Sequence, residues 1–353
     1  MSFVPPGGLV LVTGANGYIA SVTVKTLLEA GYSVRGTVRS ISKHRPLLDY
    51  FGPKFSLVEV PEIAADNAFG KAVLGVDGIA HVAANTQFGA GLALISQNVK
   101  SFINILEAAA KEPQIKRVVI TSAQGACASC QPGIPYEINQ STWNKKSIEA
   151  ANTPFDGKDP LKYSLAVFSA AKTLAEQSAF DWVREHKPHF FLNSVVPAVN
   201  IGKVPAIEHL GFGSSGALID SIVRGSAIGA TIIPSQWFVN TEDTALLHLA
   251  ALTLEEVQNE RILAFSAPYS WMQMIEILHR RFPERNATML QSVDEPETDR
   301  GVVDNTRSVE LLNRMGRPGF RNLEETLVAG MESVLEAESL PVRPWSRLDQ
   351  YLQ

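Results

Sequence analysis

Cysteine is nearly missing from this chain. Its 353 residues hold two, Cys127 and Cys130, in one CASC run. A redox pair at this spacing opens a helix in a thioredoxin-like setting, and a structural zinc site takes four ligands. This pair follows an apolar strand and has no second pair to join. Two small buried thiols in a reducing compartment, most simply the cytoplasm, are therefore expected. There is no HExxH and no clustered set of carboxylates, so no metal is expected. The histidines are scattered. His81 falls inside an apolar strand and reads as a core residue, while His209 sits in a loop-rich stretch.

A strong charge of one sign is missing too. The formal net charge is −5, and Lys and Arg form no run. Nucleic acid and anionic membranes are thereby argued against as partners. No apolar stretch reaches the length that spans a bilayer. The opening MSFVPPGGLVLVTGA puts no cationic region before its short apolar run, so no signal peptide is expected. Internal repeats and low-complexity segments are absent.

What is present is a core's worth of apolar residues, 45% of the chain, in strands that alternate with helices. Strands are expected at Leu9–Thr13, Ser33–Val38, Ser56–Val60, Gly78–Ala84, Arg117–Thr121 and Phe190–Val196, the last stopped by Pro197. Helices are expected at SVTVKTLLEAG, Asn98–Ala110 and Phe168–Glu185. This alternation predicts an α/β, Rossmann-type, doubly wound parallel sheet covered on both faces. After residue 200 the pattern changes. A loop-rich stretch is followed by helices in WFVNTEDTALLHLAALTL, SWMQMIEILHRRFP and NLEETLVAGMESVLE. Residues 1–200 are expected to bind a dinucleotide. Residues 201–353 are expected to form mainly a smaller substrate lobe, with some segments returning to the sheet.

VTGANGYIA follows the first strand and opens a helix, with Gly14, Gly17 and Ala20 in GxxGxxA spacing. Such a turn lets backbone approach a pyrophosphate, and the helix N-terminus offers free N–H groups. Gly14, Asn16, Gly17, Tyr18 and Ile19 are the expected contacts. The second strand ends in VRGTVRSISK, where an NAD site usually carries an acid. Arg39 and Lys43 stand there instead and suit a 2′-phosphate, so NADP(H) is the expected cofactor. Glu62 and Ile63 would lie near the adenine. Ala83 and Ala84 would lie by the nicotinamide, and Pro197 closes that side.

These motifs resemble the extended short-chain dehydrogenase/reductase superfamily, and within it the fungal and yeast aldehyde (carbonyl) reductases and plant dihydroflavonol reductases. The similarity runs through LVLVTGANGYIAS, VRGTVRSISK, YEINQSTWNKKSIEAANT, KTLAE, HKPHFFLNSVVP and RMGRPGFRNLEE. The resemblance implies a Ser, a Tyr and a Lys for carbonyl reduction. The Tyr gives a proton to the carbonyl oxygen. The Lys lowers the Tyr pKa and holds the nicotinamide ribose. The Ser hydrogen-bonds the oxygen. Here the Ser position falls on Ala123 (ITSAQG) and the Tyr position on Phe168 (VFSAAK), while Lys172 matches and Ala171 replaces a further Ser.

Losing a general acid costs about two to four orders of magnitude in rate, and losing an oxyanion donor roughly two to three. Ser122 is expected to face away from the site, because strand neighbours alternate. Ser169 is about a hundred degrees round the helix from Phe168. Tyr163 is the best stand-in for the lost phenol. Phe88, Phe168, Phe212 and Trp237 are expected to line the pocket.

The reading that follows is an NADP(H)-binding enzyme of small-molecule metabolism, with fungal secondary metabolism the setting the resemblance implies. Its chemistry is expected to be altered or non-redox: cyclisation, isomerisation or elimination. NADPH-dependent reduction of an aldehyde or ketone is the alternative, and a non-catalytic NADP-binding protein is a third option. A small-molecule substrate and a monomer or homodimer are expected.

Overall fold

The computed structural model describes residues 3–86, 91–295, 297 and 299–351. The first half runs β1 (Leu9–Val12), α1 (Tyr18–Glu29), β2 (Ser33–Val38), α2 (Ile41–His44), α3 (Pro46–Phe51), β3 (Phe55–Glu59), β4 (Gly78–His81), α4 (Ala93–Ala109), β5 (Arg117–Thr121), β6 (Pro135–Ile138), α5 (Lys145–Asn152), α6 (Pro160–His186) and β7 (Phe191–Pro197). The second half runs β8 (Val199–Ile201), α7 (Ile207–Leu210), α8 (Ala217–Val223), α9 (Ile228–Ile232), β9 (Trp237–Asn240), α10 (Thr241–Thr253), β10 (Arg261–Ala264), β11 (Ala267–Pro268), α11 (Trp271–Arg281), β12 (Arg300–Val303), α12 (Thr306–Arg314) and α13 (Leu323–Ser339).

Seven parallel strands form the central sheet in the order β10-β7-β5-β4-β1-β2-β3. Both faces are buried, which is why the strands read as apolar runs. Within β1, Val10 and Val12 join one core cluster and Leu11 joins the other. The strand order reverses between β1 and β4, the point at whose carboxyl ends a doubly wound sheet has its ligand crevice. A third cluster holds the second-half lobe together around Trp271, Phe238, Tyr269 and Met331.

The two halves are interleaved. β10 extends the main sheet against β7, whereas β6 leaves the first half to pair in parallel with β12. α10 packs beside α1. β10 was not legible beforehand, because four residues carry no alternation and the partner strand lies more than sixty positions away.

Element ends differ where side chains decide them. α6 starts at Pro160, eight residues before the expected Phe168, since Asp159 caps it by accepting from Lys162 N (2.9 Å) and proline sits at its first position. β4 stops at His81 rather than Ala84, because Ala83 N leaves the ladder and donates to Thr13 Oγ1 (2.9 Å). Among the described residues no helix is long and apolar enough to cross a membrane.

An ion pair ties α6 to β10. Arg261 is 7% exposed and Glu176 fully buried, with Nε 2.9 Å from Oε1. The guanidinium also donates to the carbonyls of Gln140 and Thr142 (2.8 Å each) and stacks on Trp143 at 3.6 Å. Replacing Arg261 by Ala strips the buried Glu176 of its ion-pair partner and leaves it only the Ser122 hydroxyl. The expected loss is about 3–5 kcal/mol of folding stability, measured by urea denaturation.

Candidate active site

The turn after β1 is built for a close approach. Gly14 has φ +67°, and a Cβ there would lie 3.1 Å from the Cβ of Ala83, so only glycine fits. Thr37 Oγ1 accepts from Gly14 N (2.9 Å), and Thr37 O accepts from Ala15 N (2.9 Å). Thr13 Oγ1 accepts from Ala83 N and keeps its own proton for His81 Nδ1, 3.0 Å away. His81 Nε2 lies 3.2 Å from Ser101 Oγ. Burial drives the His81 pKa down to about 3, so the ring stays neutral and serves as a fixed strut, in line with its reading as a core residue.

Gly17 caps α1 with no side chain of its own, so the first-turn N–H groups remain free for an anion. Ile19 is half-buried on that turn. The Tyr18 side chain is not a cofactor contact. It is 5% exposed and points into the second half, donating to Gly202 O (2.9 Å) and accepting from Thr241 Oγ1 (2.8 Å). What Tyr18 offers a pyrophosphate is its backbone N–H.

At the end of β2, Arg39 and Lys43 are exposed. His44 joins them: its Nε2 lies 3.2 Å from Asn16 Nδ2, and its pKa is lowered first by burial and then by the charges of Arg39 and Lys43. Asn16 therefore links the phosphate turn to this cationic corner, a link that spacing alone did not reveal. Further along, Asn104 Nδ2 donates to Ile63 O (3.1 Å) and Ala65 O (2.8 Å), and Glu62 Oε1 accepts from Ala64 N (3.0 Å). These bonds hold the segment expected beside the adenine. Ala83 and Ala84 are half-buried at the mouth of the crevice, and Pro197 ends β7 on its other side.

β5 and α6 supply the reactive end. Lys172 is 5% exposed, donates to Thr121 O (3.0 Å) and lies 5.6 Å over the Phe102 ring. Burial lowers its pKa to about 8, against the opposing pull of Glu176. Thr121 is fixed from the other side by His248. The His248 Nδ1 proton goes to Thr244 O (2.8 Å), which leaves Nε2 to accept from Thr121 Oγ1 (2.7 Å). Ser122 faces away from the site and donates to Glu176 Oε2 (2.6 Å). Ala123 and Phe168 are half-buried, and Phe168, like Tyr163, packs against the small cluster of Leu94, Ala151, Val167, Ala170 and Ala171.

Tyr163 stacks on Phe155 at 4.9 Å. It sits five residues before Phe168, about 140° round the helix. Phe212 is a core residue rather than a pocket wall: it is 1% exposed, and its backbone exchanges bonds with Trp345 O (2.9 Å) and Arg347 N (2.8 Å). Trp237 is 8% exposed and edge-on to Phe265 at 6.1 Å, with its indole N–H buried and unpartnered among the described residues. Phe88 lies outside the described residues. His209 is exposed on the short helix α7. Cys127 is buried and Cys130 half-buried, and burial first pushes both thiols up to about 12.

The family model described as NAD dependent epimerase/dehydratase family matches residues 10–261. The chain is 36% identical over 338 residues to Ketoreductase adrE of Penicillium roqueforti, covering 93% of this chain and 97% of that one. It is 34% identical over 330 residues to Aldehyde reductase 2 of Sporidiobolus salmonicolor, covering 92% and 95%. A crystal structure of Gre2 from Candida albicans in complex with NADPH superposes with a TM-score of 0.80 at 26% identity, covering 95% of this chain and all of that one.

The Thr13 hydroxyl is the hinge pin between the phosphate turn and the end of β4. Thr13→Val leaves the Ala83 N–H without its acceptor and should weaken NADPH binding about tenfold. Fluorescence titration of the cofactor measures this, and an unchanged Kd would mean that the turn holds its shape without that bond.

Proposed function

Because the chain belongs to the NAD dependent epimerase/dehydratase family, we propose that this enzyme binds NADP(H) and converts a small apolar carbonyl compound by chemistry other than ordinary ketone reduction. Isomerisation, cyclisation or elimination suits a site that orients a reactive molecule and keeps water out. One observation carries this reading. Around a buried Lys172, the two positions that the resemblance assigns to hydroxyl groups hold Phe168 and Ala123. A cytoplasmic protein of fungal secondary metabolism, acting as monomer or homodimer, is the setting proposed. Residues 1–200 take the cofactor and 201–353 mainly the substrate.

The phosphate turn fits a dinucleotide, since Gly14 leaves room that any Cβ would fill. Arg39, Lys43 and the Asn16–His44 contact favour a 2′-phosphate over a bare ribose. When bound, the nicotinamide supplies hydride chemistry. Lys172 would hold its ribose from the floor of the crevice and is itself able to move a proton near neutral pH. As a free amine it takes a proton from a carbon next to the carbonyl and returns it elsewhere on the same skeleton, so the oxidation state is unchanged.

The names of the relatives, Ketoreductase adrE and Aldehyde reductase 2, favour a second reading, aldehyde or ketone reduction with the proton drawn from the Lys172 ammonium or from water. The non-redox reading and reduction through the Lys172 ammonium have opposite pH signs. A rate that needs the free amine rises as pH climbs through about 8. A rate that needs the ammonium falls over the same interval. The profile of kcat/KM against pH on the converted substrate decides between them.

A paired assay tests the site itself. NADPH consumption is followed with activated ketones and aldehydes, for the parent and for the Phe168→Tyr, Ala123→Ser variant, with products checked by mass. The variant should gain reductase activity of at least about two orders of magnitude over the parent. A parent that already reduces carbonyls at an ordinary enzymatic rate overturns the non-redox reading.

A further inference from the structure

One hydrogen bond places the amine of Lys172. Among the described residues its acceptor is the carbonyl of Thr121, 3.0 Å away. Thr121 lies one residue past the last pair that β5 makes with β4, Ile120 with His81. On the other side it still pairs with Val195 of β7. The sheet therefore braces Thr121 from one side only, and the rest of its support comes from a side chain.

His248 of α10 supplies that support. It is fully buried, its Nε2 accepts from Thr121 Oγ1 (2.7 Å), and its Nδ1 donates to Thr244 O (2.8 Å). A backbone carbonyl can only accept, so the proton is fixed on Nδ1. Burial lowers the His248 pKa to about 4, so the ring is neutral and Nε2 keeps its lone pair for Thr121. The bonds continue away from the lysine. Thr244 Oγ1 donates to Asn200 Oδ1 (2.7 Å), and Asn200 Nδ2 donates to Ala198 O (3.2 Å). Ala198 follows Pro197, the residue expected to close the nicotinamide side.

Lys172, Thr121, His248, Thr244 and Asn200 are each no more than 5% exposed. A buried polar chain with its members partnered is rigid. This one carries no proton to the amine, because His248 meets Thr121 at its hydroxyl and Lys172 meets it at its carbonyl. Its effect is mechanical.

We propose that His248 is a positioning residue for Lys172: it fixes Thr121, and Thr121 fixes where the amine meets the nicotinamide ribose and the substrate. The inference rests on the reading of Lys172 given above and deepens it. An ammonium on a four-carbon stem is free to swing unless it is held. Phenylalanine at 168 brings no hydroxyl to share that task, so the Thr121 carbonyl bears it.

A double-mutant cycle on NADPH affinity is the test, read by fluorescence titration. Lys172→Met should raise the Kd about thirtyfold, the worth of one hydrogen bond from a charged group. His248→Leu fills much of the ring's space without polar atoms and should raise it about tenfold. In the Lys172→Met background, His248→Leu should add less than about twofold, because the amine it positions is gone. A purely structural role would act with or without the amine. The two effects would then multiply to about three-hundredfold, which overturns the proposal. His248→Gln offers one donor and one acceptor in place of the ring's and should recover most of the parent's affinity. A glutamine variant as weak as the leucine one overturns the proposal too. If His248→Leu does not fold, Thr121→Val takes its place in the cycle, since it keeps the side-chain shape and drops the hydroxyl. If Lys172→Met leaves the Kd unchanged, the reading of Lys172 as a ribose ligand fails, and this inference with it.

Discussion

The buried pairing of Glu176 with Arg261 is the constraint on which the reactive end of the molecule depends. Glu176 lies one helical turn after Lys172, so whatever fixes one carboxylate fixes the height and rotation of the amine. Arg261 reaches that carboxylate from β10, a strand of the second half, and Ser122 reaches it from the end of β5. Three elements far apart in the chain thus meet on one pair of oxygens. Lys172, Ala123 and Phe168 inherit their positions from that meeting. Fully desolvated charges bring little net stability. Their effect here is to fix one arrangement, because any slip of α6 along the sheet would strand a carboxylate in the core.

The two ends of the crevice differ in how they are built. The cofactor end is made of backbone: a left-handed glycine, an uncapped helix start and carbonyls and amides pinned by Thr13 and Thr37. Such a surface depends little on which side chains surround it, and it retains its fit to a dinucleotide. The reactive end is made of side chains projecting from β5 and α6, where one atom decides the chemistry. Phe168 differs from a tyrosine by one oxygen, and Ala123 from a serine by another. The scaffold that presents both positions is unchanged by those losses.

This contrast also explains what could be read in advance. The turn at Gly14 and Gly17, the cations after β2 and the placement of Phe168 four residues before Lys172 depend on local spacing, and all were legible. Ser122 was rightly expected to face away, because strand alternation is a local rule. Phe212 was misplaced because an aromatic in a loop region shows whether it packs only once its distant partners are known, here Trp345. Arg261 gave no signal at all. An arginine at a strand start is ordinary in sequence, and only its burial against Glu176 makes it unusual.

The exchange of strands between the halves has a mechanical consequence. A protein whose two lobes join by one or two connections can swing about them, and many enzymes admit ligands that way. Here β6 is paired into the second half, and β10 and α10 are packed into the first. Opening the crevice as a hinge would tear a parallel ladder and expose Glu176. Among the described residues, the interleaved strands thus brace the two halves against a simple swing about one connection.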